Sequence, residues 1–322
     1  MIVKEREFPL YIQKLQALKR RLSTDHPKIP EIEEKLAKHL AGFHGENAID
    51  YPLSLFSEEY LILHDLRLPH KKHFFQIDTL LLSKCVIVIL EVKNFAGKLL
   101  FDPLFHQLIQ MKDGQEKALP DPLSQVNRLK LQLEHWLSIK KFPKVPIFPL
   151  VVISNVYSQI QTTSMNEQLH KKVIHKDYLP IKLQQIKRIF QKEQLYEKEM
   201  KKIVRLLKKD HTSADFSVLN HFQLKKEQIL NGVFCPICTH LPMIRNFGTW
   251  YCSRCRHTCK DAHKSALRDY YLLLGSTLTN KEARSFLQIA SSSVTSRLLR
   301  SMDFSFKGEG KGRVYMLSLK KL

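Results

Sequence analysis

The sequence predicts a mixed α/β fold with two smaller modules behind it, and three features of its 322 residues carry that expectation. Apolar residues follow helical spacing over residues 3–43, change to strand-like runs over 60–93, and return to helical spacing at 121–140. That alternation suits a mixed sheet flanked by helices. Five of the six cysteines fall between residues 235 and 259. Residues 261–322 combine two short helical patterns with a Gly-rich strand pair. The chain exceeds the usual size of one compact domain, so two or three units are expected, each with its own core.

Leu15, Leu18 and Leu22, then Ile32, Leu36 and Leu40, repeat at helical spacing on either side of the breaker DHPKIP, which makes residues 1–40 a helical N-terminal extension. From Tyr60 to Lys93 the runs YLILHDLRL, FFQIDTLLL and CVIVILEVK read as three strands in a meander. Asp121 as cap and Pro122 in the first turn open a helix with Leu129, Leu133, Trp136 and Leu137 on one face. FPLVVIS, residues 148–154, is a buried strand, and a lysine-rich helical stretch spans about 180–209. Residues 41–210 therefore form the α/β domain and 211–231 a linker, followed by a cysteine module at 232–260 and the tail at 261–322. No internal repeat or low-complexity tract is visible.

The charge balance narrows the partner class. With 52 Lys+Arg against 31 Asp+Glu the formal charge is +21, which attracts polyanions, nucleic acid being the commonest. A membrane is not expected as partner: the longest apolar run, Cys85 to Leu90, is far shorter than the ~20 residues a spanning helix needs. The start MIVKEREFPLY lacks a sustained apolar stretch and a small-residue cleavage site, so a cytoplasmic location is expected. In that compartment clustered cysteines point to a metal rather than to disulfides, while Cys85 is most simply a small buried hydrophobe.

Asp78 lies within the second strand-like run, and Glu91-Val92-Lys93 ends the third. Period two puts Glu91 and Lys93 on one face, and Asp78 reaches that face if the two strands pair. Two converging carboxylates suit Mg²⁺ or Mn²⁺, which keeps coordination positions for water and phosphate. A neighbouring ammonium can orient the water and stabilise charge on phosphorus. Taken alone, E-x-K reads more simply as the polar end of a buried strand.

The surrounding residues change that. Gly45-Glu46, His64-Asp65-Leu66, Gln76-Ile77-Asp78, Glu91-Val92-Lys93-Asn94 with Gly97, and Asp121-Pro122-Leu123-Ser124-Gln125 together resemble the nuclease-related domain (NERD) family, a branch of the PD-(D/E)xK nuclease superfamily, over about residues 40–140. The resemblance implies a PD-(D/E)xK nuclease-like core. It also implies that Asp78 and Glu91 bind divalent metal, that Lys93 works on the attacking water, and that Glu46 and Gln125 complete the site. Thr79 stands where the family often has His, and Asp121 where Asn usually precedes Pro; neither is a metal ligand, so these departures bear on substrate contacts. His44, His64, His70 and His73 crowd the region and receive no role.

Cys235-Pro-Ile-Cys238 and Cys252-Ser-Arg-Cys255, thirteen residues apart, supply two thiolate pairs spaced to close a tetrahedral zinc site. Four thiolates leave no open position, so the zinc is structural in a module too small to fold on its own core. Cys259 and His257 lie within reach but are not expected as ligands. The pattern resembles the short zinc ribbons of DNA topoisomerases. Arg254 and Arg256, with Arg245 and Lys260 nearby, would contact phosphates rather than read bases.

In the tail, Thr279-Asn-Lys-Glu282 is a capping box, Ser291 to Arg300 a second helix, and FSFKGEGKGRVYML a strand, Gly-rich loop and strand. Together they look like a winged helix, with Arg297 and Arg300 on the recognition-like helix and Lys307, Lys311 and Arg313 on the wing. A small packing domain with solvated charges is the alternative. Residues 225–322 hold 17 Lys+Arg against 6 Asp+Glu, which favours binding. The expectation for the whole chain is a Mg²⁺-dependent nuclease, an endonuclease in form, acting on double-stranded DNA. A nuclease-fold DNA-binding or regulatory protein without cleavage, or an RNA-processing nuclease, is the alternative, and a protein partner or homodimer stays open.

Overall fold

The computed structural model describes residues 1–163 and 167–322, the side chains of residues 167, 168 and 311 excepted. The side chain of Lys311, expected on the wing, thus lies outside the described residues. The chain forms two compact units, one of residues 1–8 and 38–214, the other of residues 9–37 and 215–322. This division departs from the expected 1–40 extension and 211–231 linker. No helix among the described residues is long and apolar enough to cross a membrane.

In chain order the first elements are β1 (Ile2–Lys4), α1 (Leu10–Arg21), α2 (Ile29–Asn47), α3 (Asp50–Ser54), β2 (Leu61–His70), β3 (His73–Leu82) and β4 (Ile87–Lys93). Then come β5 (Lys98–Asp102), β6 (Gln107–Lys112), β7 (Gln115–Pro120), α4 (Pro122–Ile139), β8 (Ile147–Ile153), β9 (Gln159–Thr162), α5 (Glu167–Lys172), β10 (Val173–His175), α6 (Leu179–Ile189) and α7 (Glu197–Asp210). The helical spacing expected from residue 3 onward gives a helix only from Leu10, because Pro9 biases the residue before it toward extended backbone. Ile2–Lys4 instead joins the sheet beside β2.

The first unit is built on a six-stranded sheet ordered β1-β2-β3-β4-β8-β10. β2, β3 and β4 form the expected antiparallel meander, while β4, β8 and β10 run parallel. Central β4 is buried on both faces, which is why it reads as a nearly continuous apolar run. Ile87 and Ile89 pack with Val126, Leu129 and Leu133 of α4 and Ile203 and Leu207 of α7. Val88, Leu90 and Val92 pack with Leu53 of α3 and Leu179, Leu183 and Ile186 of α6. A second sheet, β7-β6-β5-β9, follows β4. Sequence did not reveal it, since these strands are short and β7 is almost wholly exposed, so no apolar alternation marks it.

One irregularity in the first sheet bears on the site. Asp65 has φ 49°, left-handed backbone that non-glycine residues seldom adopt. Around it the inward set of β2 shifts from Leu63 to Leu66, and that of β3 from Ile77 to Leu80, all four in one cluster. The two strands change phase together, and Asp78 sits at the change.

The second unit contains α1, the start of α2, and α8 (Val218–His221), then β11 (Ile244–Asn246), β12 (Thr249–Tyr251), β13 (Thr258–Cys259), α9 (Ala262–Leu273), β14 (Thr277–Thr279), α10 (Asn280–Leu287), α11 (Ser292–Ser301), β15 (Ser305–Lys307) and β16 (Val314–Met316). β11, β12 and β13 form one three-stranded sheet, and β14-β16-β15 another. The expected linker is not free chain, because Val218, Leu219 and Phe222 are buried in the same cluster as Leu15 and Leu18 of α1, Trp250, and Leu267, Phe286 and Leu299 of the tail. Within this core Arg21, itself fully buried, donates from Nε to Asp269 Oδ2 at 2.8 Å and from Nη1 to the carbonyl of Gly232 at 2.8 Å. Its guanidinium also lies 4.6 Å from the ring centre of Phe234 and 4.8 Å from that of Phe286. Removing one member of such a buried pair typically costs about 3–5 kcal/mol.

Candidate functional site

Pairing of β3 with β4 runs from Leu82↔Ile87 to Thr79↔Leu90, and the same register one step further sets Asp78 opposite Glu91. There the ladder gives way to a side chain: Asp78 Oδ2 accepts from the backbone N–H of Val92 at 2.9 Å. Glu91 is 2% exposed. Its Oε1 accepts from Lys93 Nζ at 2.6 Å and from Gln125 Nε2 at 2.7 Å. Its Oε2 is buried and has no hydrogen-bond partner among the described residues.

Gln125 arrives there because Asp121 caps α4, accepting from the backbone N–H groups of Leu123 at 3.1 Å and Ser124 at 2.9 Å, with Pro122 in the first turn. Glu46 is brought in by α2. A Cβ on Gly45 would lie 2.5 Å from Asn94 Cβ and 2.7 Å from Ser154 Oγ, so glycine is what lets the helix approach the ends of β4 and β8. Asn94 fastens the approach, donating from Nδ2 to the carbonyl of Ala41 at 2.7 Å. Arg6 Nη1 then meets Glu46 Oε2 at 2.6 Å.

The carboxyls resist ionisation together. Burial, then the charge of Asp78, push Glu46 up to about 8 against the pull of Arg6. Burial and Asp78 likewise push Glu91 up to about 8 against Lys93. Burial raises Asp78 as well, opposed by the Val92 N–H, Lys93 and Arg6. Such crowding of acids disfavours their charged forms unless a cation joins them. The unpartnered Glu91 Oε2 and the neighbouring Asp78 are a donor set that fits a hard divalent ion. The carboxylates do not close a full protein shell: among the described residues, the one group of three or more metal-ligand side chains with atoms within 4.8 Å of one another is the cysteine quartet.

Sequence reasoning missed Arg6 and the setting of His64. Arg6 carries no motif, and His64 was one histidine among fifteen. Burial, then Arg6 and Lys4, hold His64 down to about 3, so its ring is neutral.

The quartet is Cys235, Cys238, Cys252 and Cys255. Cys235 and Cys255 sulfurs are 3.6 Å apart and those of Cys238 and Cys252 3.5 Å, close to the ~3.8 Å edge of a tetrahedron with Zn–S near 2.3 Å and far beyond a disulfide bond. The quartet could hold a zinc ion. Its halves are alike: Cys235 N–H donates to His240 carbonyl at 2.9 Å, and Cys252 N–H to His257 carbonyl at 2.9 Å. Thr239 and Arg256, next after each pair, are left-handed at φ 56° and 60°. CPICTH and CSRCRH are thus one short repeat, too brief to stand out in the sequence. Backbone N–H groups of Cys255 and Arg254 bring Cys252 to about 7 despite burial. Against the His257 N–H, the neighbouring sulfurs of Cys238, Cys235 and Cys252, with burial, push Cys255 up to about 12. Cys259 sits in β13 opposite Trp250, outside the quartet.

Arg254 and Arg256 are exposed on the second cysteine turn, Arg297 and Arg300 on α11, and Lys307 on β15. Arg313, also expected on the wing, is half-buried, with its guanidinium 4.1 Å from the Phe306 ring centre.

Residues 41–154 match the nuclease-related domain family, so the chain carries a nuclease-related domain. The matched segment holds Glu46, Asp78, Glu91, Lys93 and Gln125 and ends just after β8. No curated protein and no solved structure matches the chain.

Proposed function

We propose that the protein is a divalent-cation-dependent nuclease that hydrolyses phosphodiester bonds of double-stranded DNA, with the cysteine module and the tail binding the substrate. One observation carries this reading: buried Glu91 has one oxygen committed to Lys93 and Gln125 and the other without a partner among the described residues, opposite Asp78. Asp78 and Glu91 would hold the cation, Mg²⁺ or Mn²⁺, which supplies Lewis acidity toward phosphate and water when bound. Gln125 and Lys93 fix the Glu91 carboxyl so that Oε2 is the oxygen left for it. The Val92 N–H orients the Asp78 carboxyl in the same way. Lys93, still 21% exposed at its side chain, can donate to the attacking water and then to the phosphoryl oxygens as negative charge grows on them. Glu46 adds a third acid at the rim. The cysteine quartet would hold a structural zinc.

For the tail, the order α9-β14-α10-α11-β15-β16 with β16 between β14 and β15 supports a winged-helix reading. Asn280 braces α10 against α11 by donating to the Ser292 carbonyl at 3.1 Å and Ser296 Oγ at 2.9 Å, leaving Arg297 and Arg300 outward. The test is incubation of the purified chain with linear, closed circular and single-stranded DNA and with RNA, in Mg²⁺, Mn²⁺ or EDTA. Cutting of closed circles with either cation and none in EDTA is expected. No cutting of any substrate with either cation would sink the nuclease reading.

A further inference from the structure

Arg6 precedes the matched segment, yet its side chain is only 4% exposed. A guanidinium so buried persists only where partners replace its water. Nη1 donates to Glu46 Oε2 at 2.6 Å, and Nη2 approaches Asp50 Oδ1 at 3.3 Å, Thr79 Oγ1 at 3.2 Å and His64 Nδ1 at 3.0 Å. His64 Nδ1 and Thr79 Oγ1 are themselves 3.0 Å apart. The backbone that delivers Arg6 is fixed too: β1 pairs with β2, and Lys4 Nζ donates to the carbonyls of His64 at 2.8 Å and Asp65 at 3.0 Å. Arg6 therefore ties Glu46, on α2, to the β2–β3 pair at Thr79, the residue after Asp78.

Resting on the nuclease reading above, we propose that Arg6 is a positioning residue of that site, supplied from outside the nuclease-related segment, which holds the Glu46 carboxyl against the β2–β3 pair at His64 and at Thr79, next along the chain from Asp78. Only a planar fork spans four partners on two sides; a lysine ammonium is a point charge on a flexible stem and cannot.

The test compares Arg6→Ala, Arg6→Lys, Glu46→Gln and the double variant Arg6→Ala/Glu46→Gln in the full chain. Both Arg6 variants should lower kcat by about 10- to 100-fold, the scale of a small misplacement of a reacting group, with KM for DNA little changed. Millimolar guanidinium should restore the Arg6→Ala variant and not the double variant, which should be no slower than Glu46→Gln alone. A readout without catalysis is the Mn²⁺-induced shift in melting temperature: Arg6→Ala should alter it when Glu46 is present and leave it unchanged in the Glu46→Gln background. Wild-type kcat and Mn²⁺ shift in Arg6→Ala, or effects of the two substitutions that simply multiply, would overturn the assignment. Should Arg6→Ala fail to fold, wild-type behaviour in Arg6→Lys overturns it equally. A wild-type chain that cuts nothing would end the nuclease reading alone, and the Mn²⁺ comparison then decides on Arg6.

Discussion

Glu91 is a buried carboxyl with one oxygen hydrogen-bonded by protein and the other not, among the described residues, and the expected effects of substitution follow from that. Asp78→Asn, Glu91→Gln and Lys93→Ala should each reduce cleavage by about 100-fold or more, since they remove cation binding or transition-state charge stabilisation. DNA affinity should change little, because none of the three belongs to the exposed basic surface. Full cleavage in any one of them would refute its role. The same residues set a pH dependence. Glu46 and Glu91 ionise near 8 in the folded chain against an ordinary 4.5, so between those values the folded state keeps protons that the unfolded state has lost. Stability without a cation is therefore complete below about pH 4.5 for this contribution and is lost as pH rises through about 8. A divalent cation competes with those protons, so its stabilising effect should be larger at pH 8.5 than at pH 6. Melting curves in EDTA and in Mg²⁺ at both values check this. An equal cation shift at the two pH values would show that the carboxyls do not hold protons.

The placement of Glu46 depends on how closely α2 approaches β4 and β8, and two glycines of that helix separate the possible effects. Gly42 has open space around its missing Cβ, whereas a Cβ at Gly45 would overlap Asn94 and Ser154. Gly42→Ala should stabilise by about 0.5–1 kcal/mol through helix propensity. Gly45→Ala gains the same propensity but forces a backbone shift, and a net loss of about 1–2 kcal/mol is expected along with slower cleavage. Thermal melts of the two variants decide; equal stabilisation by both would show that the close approach is not needed. At this scale much was legible beforehand. The β2–β4 meander, α4 with its Asp121-Pro122 start, and β8 were readable because apolar periodicity and capping chemistry are local signals. The second sheet was not, since β7 buries almost nothing, and β1 was not, since three residues carry no period. Spacing within strands put Asp78, Glu91 and Lys93 on one face, but only the resemblance to the nuclease-related family gave that face a role and added Glu46 and Gln125 to it. The left-handed turn at Asp65 and the arrival of Arg6 arise from pairing between distant residues, which no window of sequence contains.

Across the molecule, the cysteine module does not have a core to itself. Cys235, Cys252 and Trp250 share one apolar cluster with α1 and the tail. Cys235→Ser or Cys252→Ser should thus release about one zinc per chain and lower hydrogen-exchange protection throughout residues 9–37 and 215–322, not in the cysteine module alone. The first unit, with separate clusters, should keep its protection. Elemental analysis of never-chelated protein that finds no zinc would remove the premise.

The shared core also governs how the excess charge of the tail can be tested. Deleting residues 225–322 would strip Leu15 and Leu18 of their neighbours, so a loss of DNA binding would report unfolding as readily as lost contacts. Single changes at exposed cations avoid this. Each Lys or Arg that neutralises a phosphate releases counterions, giving a slope of log affinity against log salt of about −0.9 per contact on duplex DNA. In the Asp78→Asn background, where binding is separated from cutting, Arg297→Ala, Arg300→Ala and Lys307→Ala should each flatten that slope by about one and weaken binding alike on unrelated sequences. A loss confined to particular DNA sequences would instead mark base readout by that side chain. Arg313→Ala should behave differently, since its guanidinium covers Phe306: it should lower the melting temperature of the second unit with little change in slope. If all three exposed positions leave both affinity and slope unaltered, the tail does not contact the DNA backbone through them, and a packing domain with solvated charges or a protein-binding module replaces the winged-helix reading.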